Sequence, residues 1–296
     1  MTFQNPQYLV ETDWLHTHLD EANLRILDCT VYLPNYFDAS AAEKVEIVSG
    51  RENWEQGHIP GSAFADLMQD LCDPHNTQLM FPMPPASQFE AAMARYGVGE
   101  GTHVVLYDDM VNIWAARVWW MLRAFGFDHA AVLNGGWKKW TREGRPVSTA
   151  PPTYPATPFV ARARPELIAT KDEVLTAIDH QATCLINALD PDEHAGRGPV
   201  RYGRPGHIPS SMNVSFLSVF DPETHAYLRP EQLREQFNHV GALHKDRVIT
   251  YCGGAIAACS DAFVLTLLGV DNVAVYDGSM TEWAADSTLP LVTGDT

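Results

Sequence analysis

Apolar and polar positions run through the same order twice along this chain. Residues 103–140 read HVVLYDDMVNIWAARVWWMLRAFGFDHAAVLNGGWKKW, and residues 247–283 read RVITYCGGAIAACSDAFVLTLLGVDNVAVYDGSMTEW. Each has an apolar run, a short loop and an amphipathic stretch of helical period. A Gly-Phe/Val-Asp hinge, a second apolar run and a glycine turn before Trp140 or Trp283 complete the unit. A second matching pair lies upstream, GHIPGSAFADL from Gly57 and GHIPSSMNVSF from Gly206. Such self-similarity means two copies of one structural unit. Short apolar strands alternating with helical patterns of roughly ten to fifteen residues predict βα units around a parallel sheet. VVLY and VITY, apolar without interruption, predict strands covered on both faces.

Between the copies, Pro146, Pro151, Pro152, Pro155, Pro158 and Pro165 exclude helix and central strand and read as a semi-rigid linker. The expected division is an α/β domain over 1–150, a proline-rich linker over 151–164 and a second α/β domain over 165–296.

Composition narrows the function. With 296 residues, 46% hydrophobic and 19% charged, the chain suits two globular domains. It has no run of 18 apolar residues, so no membrane span is read. Its start, MTFQNPQYLVETDWL, lacks the basic-then-apolar order of a secretory signal, and a cytoplasmic location is expected. A net charge of -17 argues against nucleic acid or an anionic membrane surface as partner, because both need clustered Lys and Arg. A few local arginines can still draw in a small anion. The five cysteines, Cys29, Cys72, Cys184, Cys252 and Cys259, are odd in number and contain no CxxC pair. They fit neither a disulfide framework nor a zinc site and point to a reducing compartment. No HExxH motif occurs among the twelve histidines, and no metal is expected.

Cys252 directly follows the strand run VITY and precedes Gly253, Gly254, Ala255, Ile256 and Ala257, with a helix expected beyond. Small residues let backbone N–H groups turn toward the sulfur, which also faces a helix N-terminus. Both effects favour thiolate, so a lowered thiol pKa is expected. The matching position in the first copy is Asp108, so one copy has a nucleophile and the other none. The remaining four cysteines read as structural.

The paired GHIP boxes, the strand–Cys–loop–helix unit, LNGGWKKW at 133–140 and YDGSMTEW at 276–283 resemble the tandem rhodanese family of thiosulfate and 3-mercaptopyruvate sulfurtransferases. The resemblance spans roughly residues 8 to 292. It implies a double displacement in which Cys252 takes sulfur from a small anionic donor as a persulfide. A thiol, cyanide or thioredoxin-like acceptor then removes that sulfur, and no cofactor is needed. A related phosphatase loop carries Arg six residues after its cysteine, whereas Ala258 stands there in this chain. Thiosulfate-preferring relatives carry Arg and Lys after the cysteine, and mercaptopyruvate-preferring ones a hydroxyl and a threonine. Here Gly253 and Gly254 directly follow the cysteine, the hydroxyl place is Gly254, the usual glycine is Ala255 and the threonine place is Ala257, which leaves only backbone donors and both sulfur donors open.

The family also places a substrate-binding arginine before the second GHIP box, which Arg204 resembles. Arg197 and Arg201 are candidates for a second anion contact, and Asp66 is an expected site acid. Phe81 stands where the mercaptopyruvate enzymes carry a histidine. His58 and His207, present in both copies, read as scaffold, each bonding a nearby carboxylate to fix a loop, and Asp28, Asn187, Asp277 and Glu282 read as scaffold too. Trp114, Trp119 and Trp120 are expected in core or inter-domain packing. The loss of side-chain donors also motivates an alternative, a persulfide carrier or sulfur-relay module with low turnover of its own.

Overall fold

The structure is a computed structural model that describes residues 2–36 and 46–295. Its first half comprises β1 (Leu9–Val10), α1 (Thr12–His18), β2 (Leu24–Asp28), β3 (Val31–Tyr32), β4 (Val48–Ser49), α2 (Arg51–Gln56) and β5 (Ser62–Phe64). There follow α3 (Ala86–Arg95), β6 (His103–Tyr107), α4 (Ile113–Ala124), β7 (Ala130–Leu133) and α5 (Gly136–Arg142). The second half comprises β8 (Ile168–Ala169), α6 (Lys171–Ala177), β9 (Thr183–Asn187), α7 (Pro191–His194), β10 (Met212–Asn213) and α8 (Pro230–His239). It ends with β11 (Arg247–Tyr251), α9 (Ile256–Leu267), β12 (Val273–Tyr276) and α10 (Ser279–Trp283).

Each half is a five-stranded parallel sheet with flanking helices. The orders are β1-β7-β6-β2-β5 and β8-β12-β11-β9-β10, the same order twice. The expected α/β repeat is therefore what the chain forms. β6 and β11 lie at the centre, and their apolar runs are buried on both faces. Both end on a tyrosine held by its own GHIP box. Tyr107 Oη meets Ser62 Oγ at 2.9 Å and accepts from Ile59 N–H, and Tyr251 Oη meets Ser211 Oγ at 2.6 Å and accepts from Ile208 N–H. The box thus fixes the residue just before Asp108 in one copy and Cys252 in the other.

α4 and α9 pack against each other across the boundary, with Trp119 edge-on to Phe263 at 4.7 Å. Both are buried nearly all round, as helices enclosed by protein must be. The stretch over 151–164 has no helix or strand, but it is a strap laid along the first half. Thr157 N–H donates to Ala94 O, and Arg162 N–H and Arg164 N–H donate to Phe125 O and Ala124 O. Phe159 is buried edge-on to Phe89. Of the chain's helices, none is long and apolar enough to cross a membrane among the described residues.

Candidate active site

Cys252 sits where β11 stops, and the chain turns through Gly253, Gly254 and Ala255 into α9. The helix begins at Ile256, earlier than the sequence suggests. Ile256 and Ala257 are therefore first-turn residues, whose N–H groups have no partner within the helix. N–H groups of Ala258, Gly254, Ala257 and Ala255 act on the Cys252 sulfur and favour its anion. Ala255 takes the left-handed conformation at φ 64°, as Asn112 does at φ 61° in the first copy.

That first copy shows what the nest is built to hold. Asp108 Oδ1 accepts from Met110 and Asn112 N–H at 2.8 and 3.0 Å, and Oδ2 accepts from Trp114 and Ala115 N–H at 2.9 Å each. Four amides converge on an internal carboxylate in one domain, and the matching turn in the other places its amides where they favour a cysteine anion.

The turn after β12 braces the cysteine loop. Ser279 Oγ accepts from Cys252 N–H (3.1 Å) and Ala255 N–H (3.2 Å) while donating to Tyr276 O. Met280 N–H donates to Cys252 O, and Thr281 donates to Gly253 O through both its N–H and its hydroxyl. The YDGS motif is visible in the sequence, but the reach of Ser279 is not.

Cys252 is 3% exposed. Burial pushes its thiol above the ordinary value, and the four loop amides pull the other way without overcoming it. This corrects the expectation of a lowered pKa, since local amides are readable in sequence and desolvation is not. The same contest in the first copy leaves Asp108, opposed by its four amides, pushed up to about 6 by burial. Alkylation of Cys252 should accordingly follow an inflection above the ordinary thiol value of about 8.5. Iodoacetamide rates across pH measure it, and an inflection well below 8.5 would contradict this balance.

The sulfur opens onto a cavity of about 280 Å³ between the two halves. Met80, Phe81 and Trp114 come from the first half, Tyr202 and Phe216 from the second. The stretch carrying Phe81 thus does face Cys252, and the Phe81 ring is edge-on to Trp114 at 5.0 Å. Trp114 is both core and cavity wall, a role its helical spacing does not reveal. Closeness of these walls explains the loop glycines. A Cβ on Gly253 would overlap the hydroxyl end of Tyr202, at Oη and Cζ, and one on Gly254 would lie 2.9 Å from Met80 Cβ. Gly253→Ala is expected to reduce activity at least tenfold by displacing Tyr202 or the loop, with Gly254→Ala milder, as steady-state rates would report.

Several expected site residues lie elsewhere. Arg204 donates to four backbone carbonyls, those of Trp283, Ala284, Asp286 and Leu289, and does not line the cavity. It anchors the closing segment. Arg197 pairs with Asp192 and Asp295 on the surface. Arg201 pairs with Glu193 and donates to Tyr36 O. Asp66 accepts from Met68 and Gln69 N–H and pairs with Arg51 at 3.2 Å, which makes it a loop anchor. None of the four reaches the cavity walls.

The scaffold readings stand with altered partners. His58 Nδ1 bonds Trp54 O, and His207 Nδ1 bonds His194 O, backbone carbonyls where carboxylates were expected. Asp28 and Asn187 make matching turns, accepting from Thr30 and Leu189 N–H. All five cysteines are free thiols, and Cys259 is buried with Arg117 Nη1 at 3.8 Å. No cluster of metal-ligating side chains occurs among the described residues.

Comparison with known proteins agrees with this architecture. The model of the Rhodanese-like domain matches residues 11–143 and again 170–286. Thiosulfate/3-mercaptopyruvate sulfurtransferase 2 of Arabidopsis thaliana is 32% identical over 307 residues, covering 96% of this chain and 86% of the plant protein. The sulfur carrier protein TtuD of Thermus thermophilus is 30% identical over 310 residues, the full length of both. The crystal structure of SseA from Escherichia coli, a 3-mercaptopyruvate sulfotransferase, superposes with a TM-score of 0.80 at 28% identity, covering 92% of this chain and 98% of that one. The chain belongs to the rhodanese-like family and is a sulfurtransferase with two tandem rhodanese domains.

Proposed function

We propose that Cys252 carries the transferred sulfur as a persulfide, taken from a donor such as thiosulfate or 3-mercaptopyruvate and passed to a thiol, cyanide or thioredoxin-like acceptor. The observation that carries this reading is the position of Cys252 at the floor of an inter-domain cavity, on the strand-to-helix turn whose counterpart in the first half holds the Asp108 carboxylate with four amides. The Cys252 thiolate attacks the transferable sulfur of the donor, the sulfane sulfur of thiosulfate or the thiol sulfur of 3-mercaptopyruvate. A new S–S bond forms as the donor's S–S or C–S bond breaks, and the remainder leaves with the electron pair, protonated where its chemistry requires. An acceptor then attacks the outer sulfur and Cys252 departs as thiolate. Both anionic states face the same amides, which is covalent catalysis with preorganised donors.

The first domain serves as a non-catalytic wall, because Asp108 already fills the equivalent nest. The cytoplasm is the proposed site of action, consistent with five free thiols. Full-length similarity to a named sulfur carrier favours a second reading, a carrier that discharges to a protein partner. Steady-state kcat/KM for both donors, each with cyanide, a small thiol and thioredoxin, separates the two. Turnover with a small acceptor is expected. A persulfide that forms but is discharged only by a protein would support the carrier instead.

A further inference from the structure

The walls around Cys252 carry a chemical preference of their own. Among the described residues lining the cavity there is no lysine or arginine. Among the described residues the nearby cations are turned to other partners, and the buried Arg201 Nη1, which has no hydrogen-bond partner, is not part of the lining. Arg201 is paired with Glu193, Arg204 serves backbone carbonyls, and Lys138 Nζ lies behind the wall at 2.7 Å from His225 Nε2. His225 itself lines the cavity with Nδ1 on Met110 O, and burial keeps its pKa below the ordinary value. The charged side chain in the lining is an acid, Asp109, which accepts from Tyr32 Oη at 2.8 Å.

The rest of the lining is largely apolar or aromatic, and includes Leu33, Phe81, Trp114, Phe216 and Leu217. A donor's anionic head can still reach the loop amides, but once the persulfide occupies them a carboxylate or sulfonate tail on the acceptor would lose its water, meet Asp109 and find no guanidinium in the described lining. An apolar body would instead gain from burial. At about 280 Å³ the space suits a guest about the size of one substituted ring.

We infer that this cavity selects an uncharged, apolar-bodied organic thiol as the acceptor of the Cys252 sulfur, in preference to a thiol bearing a carboxylate. The inference rests on Cys252 being the sulfur carrier. In the step concerned, the acceptor thiolate attacks the outer sulfur of the Cys252 persulfide. One S–S bond forms and one breaks, Cys252 leaves as thiolate, and the product is the acceptor's persulfide, with no net oxidation.

The test loads the full-length protein with inorganic polysulfide and confirms by mass spectrometry that the peptide containing Cys252 has gained one sulfur. Single-turnover discharge is then followed with benzyl mercaptan and with 3-mercaptopropionate, rates being corrected to thiolate concentration. Benzyl mercaptan is expected to be at least tenfold faster. Leu217 is 38% exposed at the rim, so Leu217→Arg adds a cation without burying it. That variant should narrow or invert the ratio. Equal or faster discharge by 3-mercaptopropionate in the unaltered protein would overturn the inference and leave the persulfide reading intact. Failure of any persulfide to form on Cys252 would overturn both.

Discussion

Replacing Cys252 with serine is expected to lower sulfur transfer by about 10⁴-fold or more at saturating donor, with the fold unchanged. The expectation rests on division of labour between the copies. Only the second nest presents a nucleophile, since Asp108 occupies the first and accepts all four of its amides. A serine oxygen fits beside Ser279 and Tyr202 but cannot form or release an S–S bond, so the loop amides then have no sulfur anion to stabilise. Coupled cyanide or thiol assays on Cys252→Ser and Cys259→Ser check the assignment. Cys259→Ser should retain turnover, since its thiol is pushed up to about 12 by burial and faces Arg117 rather than the cavity lining. Comparable loss in both variants, or survival in Cys252→Ser, would place the chemistry elsewhere.

The second large effect is structural. Arg117 of α4 is fully buried, and its Nη2 donates to Asp277 Oδ1 at 2.7 Å and to Phe81 O at 2.9 Å. Asp277 Oδ2 in turn accepts from Met83 N–H. One guanidinium therefore ties together the first domain's helix, the cavity wall at Phe81 and the turn that holds Ser279 against the cysteine loop. Removing one partner of a buried pair leaves the other charge without compensation, which typically costs about 3–5 kcal/mol. Arg117→Met is expected to lose that much stability in urea unfolding. The double variant Arg117→Met/Asp277→Asn should lose less than the sum of the single changes, because neither charge is then orphaned. A loss under about 1 kcal/mol for Arg117→Met would contradict the role given to this pair.

The parts of this protein written in local pattern were readable before any coordinates. The duplicated sheet shows because buried parallel strands must be apolar runs, as VVLY and VITY are, and because each run ends at a small-residue or acidic loop. Cys252 shows because its glycines have a local reason to be there. The cavity does not show, since Leu33, Met80, Tyr202 and Phe216 meet only through tertiary packing. Arg204 misleads for a similar reason, because a guanidinium that grips four backbone carbonyls looks the same in sequence as one awaiting a carboxylate. The thiol pKa misleads because amides near Cys252 can be counted from the loop, while its burial depends on walls from both domains. The proline-rich segment is recognisable as irregular, yet its docking along α3 and the end of α4 depends on Phe159 and on carbonyls far away in sequence.

The most direct measurement is peptide mass mapping of the wild-type protein after exposure to donor and before any acceptor is added. One added sulfur is expected, confined to the peptide that contains Cys252 and removed by cyanide. An added sulfur on the Cys72 or Cys259 peptide instead, or turnover with no added sulfur at all, would contradict a mechanism carried by Cys252.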